Sequence, residues 1–144
     1  MTIAVDFDGT IVEHKYPAIG KEKLFAFETL KAMQKAGHLL ILWTYRSGKE
    51  LDDAVEYCKK RGIEFFAVNK SYPEEVFNEK EFSRKINADL FIDDRNMGGF
   101  YGWGEIWQEL GLGSEEETEK MRRKLERSSR NSLCAFFKSI FCRE

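Results

Sequence analysis

Polar side chains follow three separate apolar stretches of the chain: Asp6 and Asp8, Thr44 and Arg46, and Asp93 and Asp94. Turn chemistry alone would explain any one of these groups, because Asp, Thr and Gly are common in turns. It does not require that all three stretches end in this way. Clustered carboxylates repel one another unless a cation lies among them. Oxygen ligands suit a hard ion such as Mg²⁺, which also binds substrate phosphates, so we expect magnesium at this cluster.

The apolar stretches themselves are typical of buried β-strands. Residues 3–7, 38–44 and 88–94 are short and continuously apolar, and residues 63–68 form a weaker fourth candidate. Continuous rather than alternating apolar character favours strands that are covered on both faces, as in a parallel sheet. The polar groups would then lie at the carboxyl ends of neighbouring strands, where open parallel sheets bind their ligands.

Helical periodicity fills the gaps between the first candidate strands. The apolar positions of the two expected helices are Leu24, Phe27, Leu30 and Met33, and then Leu51, Ala54, Val55 and Cys58. A glycine, Gly37 or Gly62, follows each series as a helix stop. Alternating strands and helices predict an α/β fold, specifically a Rossmann-like three-layer sandwich with a mainly parallel sheet.

The last part of the chain differs in character. Ser114 and Glu117 form a capping-box pattern before a highly charged helical stretch. An apolar stripe follows at helical spacing: Leu133, Phe136, Phe137, Ile140 and Phe141. We therefore expect a catalytic core at residues 1–110 and a C-terminal helical extension at residues 111–144. The extension would pack on the core or on a partner subunit, so a homo-oligomer formed through the C-terminal helices is possible.

Length and composition exclude several other classes of protein. The chain has 144 residues, 42% of them apolar, and a formal charge of -2, so it lacks the basic excess of a nucleic-acid binder. No apolar run approaches the roughly 18 residues of a membrane span. Three widely spaced cysteines and two histidines give no zinc pattern. We expect a cytoplasmic protein with reduced thiols.

Four parts of the chain together resemble the haloacid dehalogenase-like superfamily of phosphatases and phosphotransferases. Residues 3–10, IAVDFDGT, resemble its first motif, and the apolar stretch that ends in Thr44 resembles its second. Lys85 stands where many members carry the lysine of the third motif, and residues 91–94, FIDD, resemble the acidic fourth motif. The resemblance covers about residues 1–100 and includes the fold predicted above.

The resemblance implies a role for each motif residue. Asp6 would attack phosphorus and form an aspartyl-phosphate, while Asp8 would protonate the leaving group and then activate water. Thr44 and Lys85 would bind the transferring phosphoryl group. Lys70 also follows a candidate strand and is the alternative to Lys85. Magnesium would be held by Asp6, the backbone carbonyl of Asp8, Asp93 and Asp94.

The spacing of the motifs leaves no room for the cap domain that many members carry. The chain therefore resembles small capless members, among them bacterial phosphatases associated with capsule biosynthesis. The expected activity is magnesium-dependent hydrolysis of a small phosphorylated substrate, and the resemblance suggests a sugar phosphate. Arg46 and Arg95 could bind a second anionic group of that substrate or be paired within the protein. The alternatives are a nucleotidase, a nucleic-acid end phosphatase, and a non-catalytic interaction module on the same scaffold.

Overall fold

A computed structural model describes residues 1–81 and 83–141, with side-chain surroundings through Arg130. The chain forms two compact units, Met1–Trp103 and Gly104–Glu144. The first unit contains a four-stranded sheet formed by β1 (Thr2–Val5), β2 (Leu39–Leu42), β3 (Ala67–Val68) and β4 (Leu90–Ile92). The strand order is β3-β2-β1-β4 and every pair is parallel. The predicted Rossmann-like α/β fold is confirmed.

Apolar side chains explain why β1 and β2 lie in the middle of this sheet. Ile3 and Val5 of β1 and Ile41 and Leu42 of β2 are fully buried. The strands are shorter than the apolar stretches in the sequence, and the weak candidate at residues 63–68 is a strand only at its last two positions. Regular pairing stops at Val5, Leu42 and Ile92, and the residues that follow each strand turn into the loops that carry the polar groups.

Two helices connect the strands. Helix α1 (Ala26–Lys35) lies between β1 and β2 and buries Phe27, Leu30 and Met33. Leu24, which the sequence pattern placed in this helix, precedes it and is 51% exposed. Phe25 adopts a left-handed conformation with a φ of 66°, so the helix cannot extend back to Leu24. Helix α2 (Gly48–Lys59) lies between β2 and β3.

The chain direction across the sheet reverses at β1. From β1 the chain proceeds to β2 and β3 on one side, whereas β4 lies on the other side of β1. Such a reversal point opens a crevice beyond the carboxyl ends of the two diverging strands, and this is the usual ligand site of open α/β sheets. The loops after β1, β2 and β4 border this crevice.

Two further helices follow, α3 (Trp103–Glu109) and α4 (Glu115–Phe141). The expected capping box opens α4. The backbone N–H of Ser114 donates to Glu117 Oε2 at 2.7 Å, and the N–H of Glu117 donates to Ser114 Oγ at 3.2 Å. The side chains of the apolar stripe at residues 133–141 lie outside the described part, so how they pack stays a prediction. Among the described helices, none combines the length and apolar character needed to cross a membrane.

Candidate active site

Three carboxylates meet at the carboxyl ends of β1 and β4. Val5 and Ile92 are partners in the parallel pairing, so Asp6 and Asp93, the next residues of the two strands, come side by side. One carboxylate oxygen from each of Asp6, Asp93 and Asp94 lies within 4.8 Å of the other two. These are three of the four residues that the sequence assigned to magnesium; the fourth, Asp8, was assigned through its backbone carbonyl, and its side chain pairs with Arg46.

Asp94 has an oxygen without a partner in the described part of the chain. Its Oδ2 lies 2.8 Å from His14 Nε2, and its backbone N–H donates to Thr10 Oγ1 at 3.0 Å. Its Oδ1 is buried and accepts no hydrogen bond. Leaving a buried carboxylate oxygen without a partner is costly. A divalent cation among the three carboxylates would satisfy this oxygen, so the donor set fits Mg²⁺.

The electrostatics of Asp6 also fit a cation. Burial, with smaller contributions from the negative charges of Asp93 and Asp94, raises the pKa of Asp6 from 3.8 to about 6. Hydrogen bonds from the Phe7 backbone N–H and the Thr10 hydroxyl oppose this rise. A bound cation would favour the ionised carboxylate, which is the form that can act as a nucleophile.

Thr10 connects the two carboxylate-bearing loops. It is fully buried, and its hydroxyl donates to Asp6 Oδ2 at 3.1 Å while accepting the Asp94 N–H. Its carbonyl accepts a 2.8 Å hydrogen bond from Trp103 Nε1. Thr10 is the last residue of the first motif, IAVDFDGT, and the sequence predicted no role for it. A hydroxyl four residues after the candidate nucleophile was the only signal for this function.

Gly9 permits the close approach of these loops. Its φ is +94°, in the left-handed region that favours glycine. A Cβ at this position would lie 2.4 Å from Asp94 Oδ2 and 2.3 Å from His14 Nε2. Any side chain at Gly9 would therefore displace Asp94 or His14. The Asp8-Gly9 turn serves the geometry of the carboxylate cluster as well as the change of chain direction.

Asp8 forms a two-pronged ion pair with Arg46. Arg46 Nε donates to Asp8 Oδ2 at 2.6 Å and Arg46 Nη2 donates to Asp8 Oδ1 at 2.7 Å. The same guanidinium donates to the carbonyls of Pro17 and Ala18 at 3.0 and 2.8 Å. Arg46 is only 2% exposed, and the Asp8 carboxylate raises its pKa further. Of the two roles that the sequence left open for Arg46, the geometry supports pairing within the protein.

Arg46 also holds the loop of residues 13–20 over the site. Its guanidinium carbon lies 5.0 Å from the centre of the Phe7 ring and 5.3 Å from that of Tyr16. Together with the bonds to Pro17 and Ala18, these cation–π contacts attach the loop to the end of β2. His14 attaches the same loop to Asp94. The loop is thus fastened at two points to residues of the candidate site.

Asn69 positions Thr44. The backbone N–H of Thr44 donates to Asn69 Oδ1 at 2.8 Å, and Asn69 Nδ2 donates to the Arg46 carbonyl at 3.4 Å. Asn69 has a φ of 52°, a left-handed conformation that Asn tolerates better than most residues. Asn69 was not among the site residues predicted from the sequence. Its place directly after β3, at the same sheet edge as the other polar groups, was the available signal.

The candidate site opens into a cavity of about 560 Å³. Its lining includes these polar and aromatic residues: Asp6, Asp8, Asp93, His14, Tyr16, Trp43, Thr44, Tyr45, Arg46 and Arg95. Arg95 is exposed and lines this cavity, and its backbone N–H donates to Asp93 Oδ1 at 2.8 Å. The Arg95 side chain is therefore available to bind an anionic group of a substrate, which is one of the two roles that the sequence left open for it.

The structure does not bring Lys85 into this cavity. Lys85 is exposed, in the segment between β3 and β4. Lys70 lines a neighbouring cavity of about 490 Å³, to which Trp43 and Thr44 also contribute. Lys70 is thus the alternative lysine that shares a cavity wall with Thr44. The described part of the segment forms turns and bends rather than a helix that would present Lys85 to the sheet edge.

Comparison with known proteins identifies one informative relative. A solved structure, that of a conserved protein from Bacteroides thetaiotaomicron, is 60% identical to this chain with a TM-score of 0.72. The match covers 77% of this chain and 89% of the Bacteroides chain. No family model and no curated protein matches the chain.

Proposed function

The chain belongs to the same family as this conserved Bacteroides protein, and we propose that it is a magnesium-dependent phosphatase that hydrolyses a phosphomonoester. The proposal rests first on the carboxylate cluster at the reversal point of the sheet, where Asp94 Oδ1 has no hydrogen-bond partner among the described residues. Its second support is the resemblance of the motif residues to the haloacid dehalogenase-like phosphatases. Cytoplasmic location and assembly through α4 are further parts of the proposal.

Asp6 is the nucleophile in this proposal. It follows β1 and lines the cavity, and Thr10 donates to its Oδ2 at 3.1 Å, which helps to fix the orientation of the carboxylate. Attack on phosphorus forms the Asp6–phosphate bond and breaks the bond to the leaving-group oxygen. Attack by water then regenerates Asp6 and releases inorganic phosphate.

Asp8 transfers the protons of these two steps. It lines the same cavity as Asp6 and is held by Arg46. Asp8 delivers a proton to the leaving group in the first step and accepts one from water in the second. Because Arg46 engages both Asp8 oxygens in the structure, one of these hydrogen bonds must lengthen for Asp8 to hold the proton that it took from water in the preceding turnover. Arg46 is therefore a positioning residue.

The remaining residues offset the negative charge of the phosphoryl group. Thr44 and Arg95 line the cavity beside the carboxylates and would hydrogen-bond the phosphoryl oxygens. Asp6, Asp93 and Asp94 would hold Mg²⁺, which would offset charge and orient the substrate when bound. Lys70 lines the adjoining cavity together with Thr44, and it is therefore preferred to Lys85 as a positive charge near the substrate.

Hydrolysis of para-nitrophenyl phosphate tests the proposal. We expect phosphate release that depends on Mg²⁺, stops in excess chelator and is abolished in Asp6→Asn. A matched control is Asp89→Asn, since Asp89 precedes β4 and its Oδ2 accepts the Thr2 N–H at the start of β1, at the opposite ends of these strands from the cluster. Activity that survives Asp6→Asn would exclude Asp6 as the nucleophile. Absence of hydrolysis across aryl, sugar and nucleotide phosphates would favour a non-catalytic module.

A further inference from the structure

A second cavity adjoins the carboxylate cavity. It has a volume of about 490 Å³, and Trp43 and Thr44 form part of the wall of both cavities. Thr44 is the residue proposed to contact the phosphoryl group. A substrate whose phosphorus lies beside Asp6 and Thr44 can therefore extend past Trp43 into the second cavity, where its leaving group would lie.

The two cavities differ in charge. The carboxylate cavity is lined by three carboxylates, Asp6, Asp8 and Asp93, and by two arginines, of which Arg46 is paired with Asp8 and Arg95 is exposed. The second cavity is lined by two cations, Lys70 and Arg84, and one carboxylate, Glu75. A Glu75 oxygen accepts the backbone N–H of Ser71, so part of its charge is satisfied within its own loop. An excess of positive charge thus stands next to the reaction centre.

Both cations retain the capacity to bind an anion. Lys70 Nζ donates to the Pro73 carbonyl, and an ammonium group has three donors. Arg84 pairs with Glu79 at 2.5 Å, but the two side chains are 79% and 73% exposed. Exposed ion pairs of this kind contribute little free energy, so an anionic ligand can replace Glu79 at little cost.

Two aromatic side chains line the second cavity together with these cations. Trp43 is half-buried, and Phe77 lines the second cavity while remaining 48% exposed. The Arg84 guanidinium lies 5.2 Å from the centre of the Phe77 ring. Aromatic faces bind rings, including sugars and aryl groups, through their apolar surfaces. The pair of rings suits a flat or cyclic leaving group.

We infer that the second cavity is a leaving-group subsite, and that the substrate is a phosphomonoester whose leaving group carries a ring and a second anionic group. This inference rests on the proposed phosphatase function. The ring lies against Trp43 and Phe77. The second anionic group, a carboxylate or a phosphate, lies against Lys70 and Arg84.

A matched pair of substrates tests this inference. Para-tolyl phosphate and para-(carboxymethyl)phenyl phosphate differ by one carboxylate, and the methylene group keeps the acidity of their phenols nearly equal. We expect kcat/KM to be about tenfold higher for the carboxylate-bearing ester. Arg84→Gln should reduce this ratio to near one. Lys80→Gln removes an exposed charge from the same segment, outside the cavity lining, and should preserve the ratio.

A binding measurement separates this inference from the catalytic one. Titration calorimetry of Asp6→Asn protein with each ester in the presence of Mg²⁺ should show about tenfold tighter binding of the carboxylate-bearing ester. Arg84→Gln in the same background should abolish the difference. Equal affinities would overturn the subsite whether or not the wild-type protein hydrolyses either ester. If the protein binds the carboxylate-bearing ester more tightly but hydrolyses neither ester, the proposed phosphatase function is overturned and the proposed subsite is supported.

Discussion

Replacement of Arg46 by methionine should destabilise the protein strongly. The Arg46 side chain is 1% exposed, and its partner Asp8 is 16% exposed. Arg46→Met removes two charge-assisted hydrogen bonds to Asp8 and leaves the carbonyls of Pro17 and Ala18 without their donors. It keeps an unbranched apolar stem that can still pack between Phe7 and the loop. The expected loss of stability therefore comes from the polar interactions of Arg46.

The magnitude follows from the burial of the pair. Removing one partner of a buried ion pair costs about 3–5 kcal/mol, because the other charge remains desolvated. Asp8 keeps some access to water, so we expect the lower end of this range, about 3 kcal/mol. For a chain of this length each kcal/mol lowers Tm by about 3 °C, which predicts a decrease of roughly 9 °C. Arg46→Lys keeps the charge but loses the two-pronged geometry, and should fall between wild type and Arg46→Met.

Thermal and urea unfolding with a double-mutant cycle provide the assay. Asp8→Asn combined with Arg46→Met removes the negative charge that Arg46→Met alone leaves unpaired at Asp8. The double variant should therefore be more stable than Arg46→Met alone. Lys60→Met is the matched control, because Lys60 pairs with Glu56 at 3.6 Å on the exposed face of α2 and should change stability by less than about 0.5 kcal/mol. If Arg46→Met stays within about 1 kcal/mol of wild type, the pair does not hold the loop as described.

Three further predictions concern the carboxylates and the lysines. Mg²⁺ should raise Tm by an amount that increases with its concentration, and differential scanning fluorimetry of Asp93→Asn should show this rise reduced or lost. In metal-free protein, the raised pKa of Asp6 means that the native state binds more protons than the unfolded state between about pH 4 and pH 6. The free energy of unfolding should therefore fall by about 2 kcal/mol as the pH rises through this window, and urea titrations of Asp6→Asn should lack that fall. Lys70→Met should lower kcat/KM for para-(carboxymethyl)phenyl phosphate at least tenfold, because Lys70 lines the second cavity, whereas Lys85→Met should change it less than twofold; the opposite ranking would favour Lys85 over Lys70.

The sequence predicted the parts of the site that depend only on strand pairing. Continuous apolar stretches identified β1, β2 and β4, and parallel strands bring their carboxyl ends to one edge whatever the loops do. Asp6 and Asp93 meet because Val5 and Ile92 are paired. No knowledge of side-chain rotamers or loop paths is needed for this step, and so the acidic cluster could be predicted from residue types and their positions.

Loop geometry could not be predicted in the same way. Lys85 lies in a segment without periodicity, so nothing in the sequence determines where its side chain points, and the structure leaves it exposed. The pairing of Arg46 with Asp8 depends on the course of the loop at residues 13–20, whose carbonyls complete the guanidinium's hydrogen bonds. Asn69 needs a left-handed backbone to reach Thr44. These contacts join residues far apart in the chain and have no local signature.

The spacing of the motifs, which leaves no room for a cap domain, and the two cavities together bear on substrate selectivity. The proposed phosphatase would obtain its selectivity from the surface around the phosphoryl site. Here the loop at residues 13–20 is fastened by Arg46 and His14 on one side of the carboxylates. The segment that carries Lys70 and Arg84 forms the other side, beyond Trp43. A rigid wall on one side and a cationic cavity on the other would select for an extended, anionic leaving group, because only such a group gains contacts on the open side.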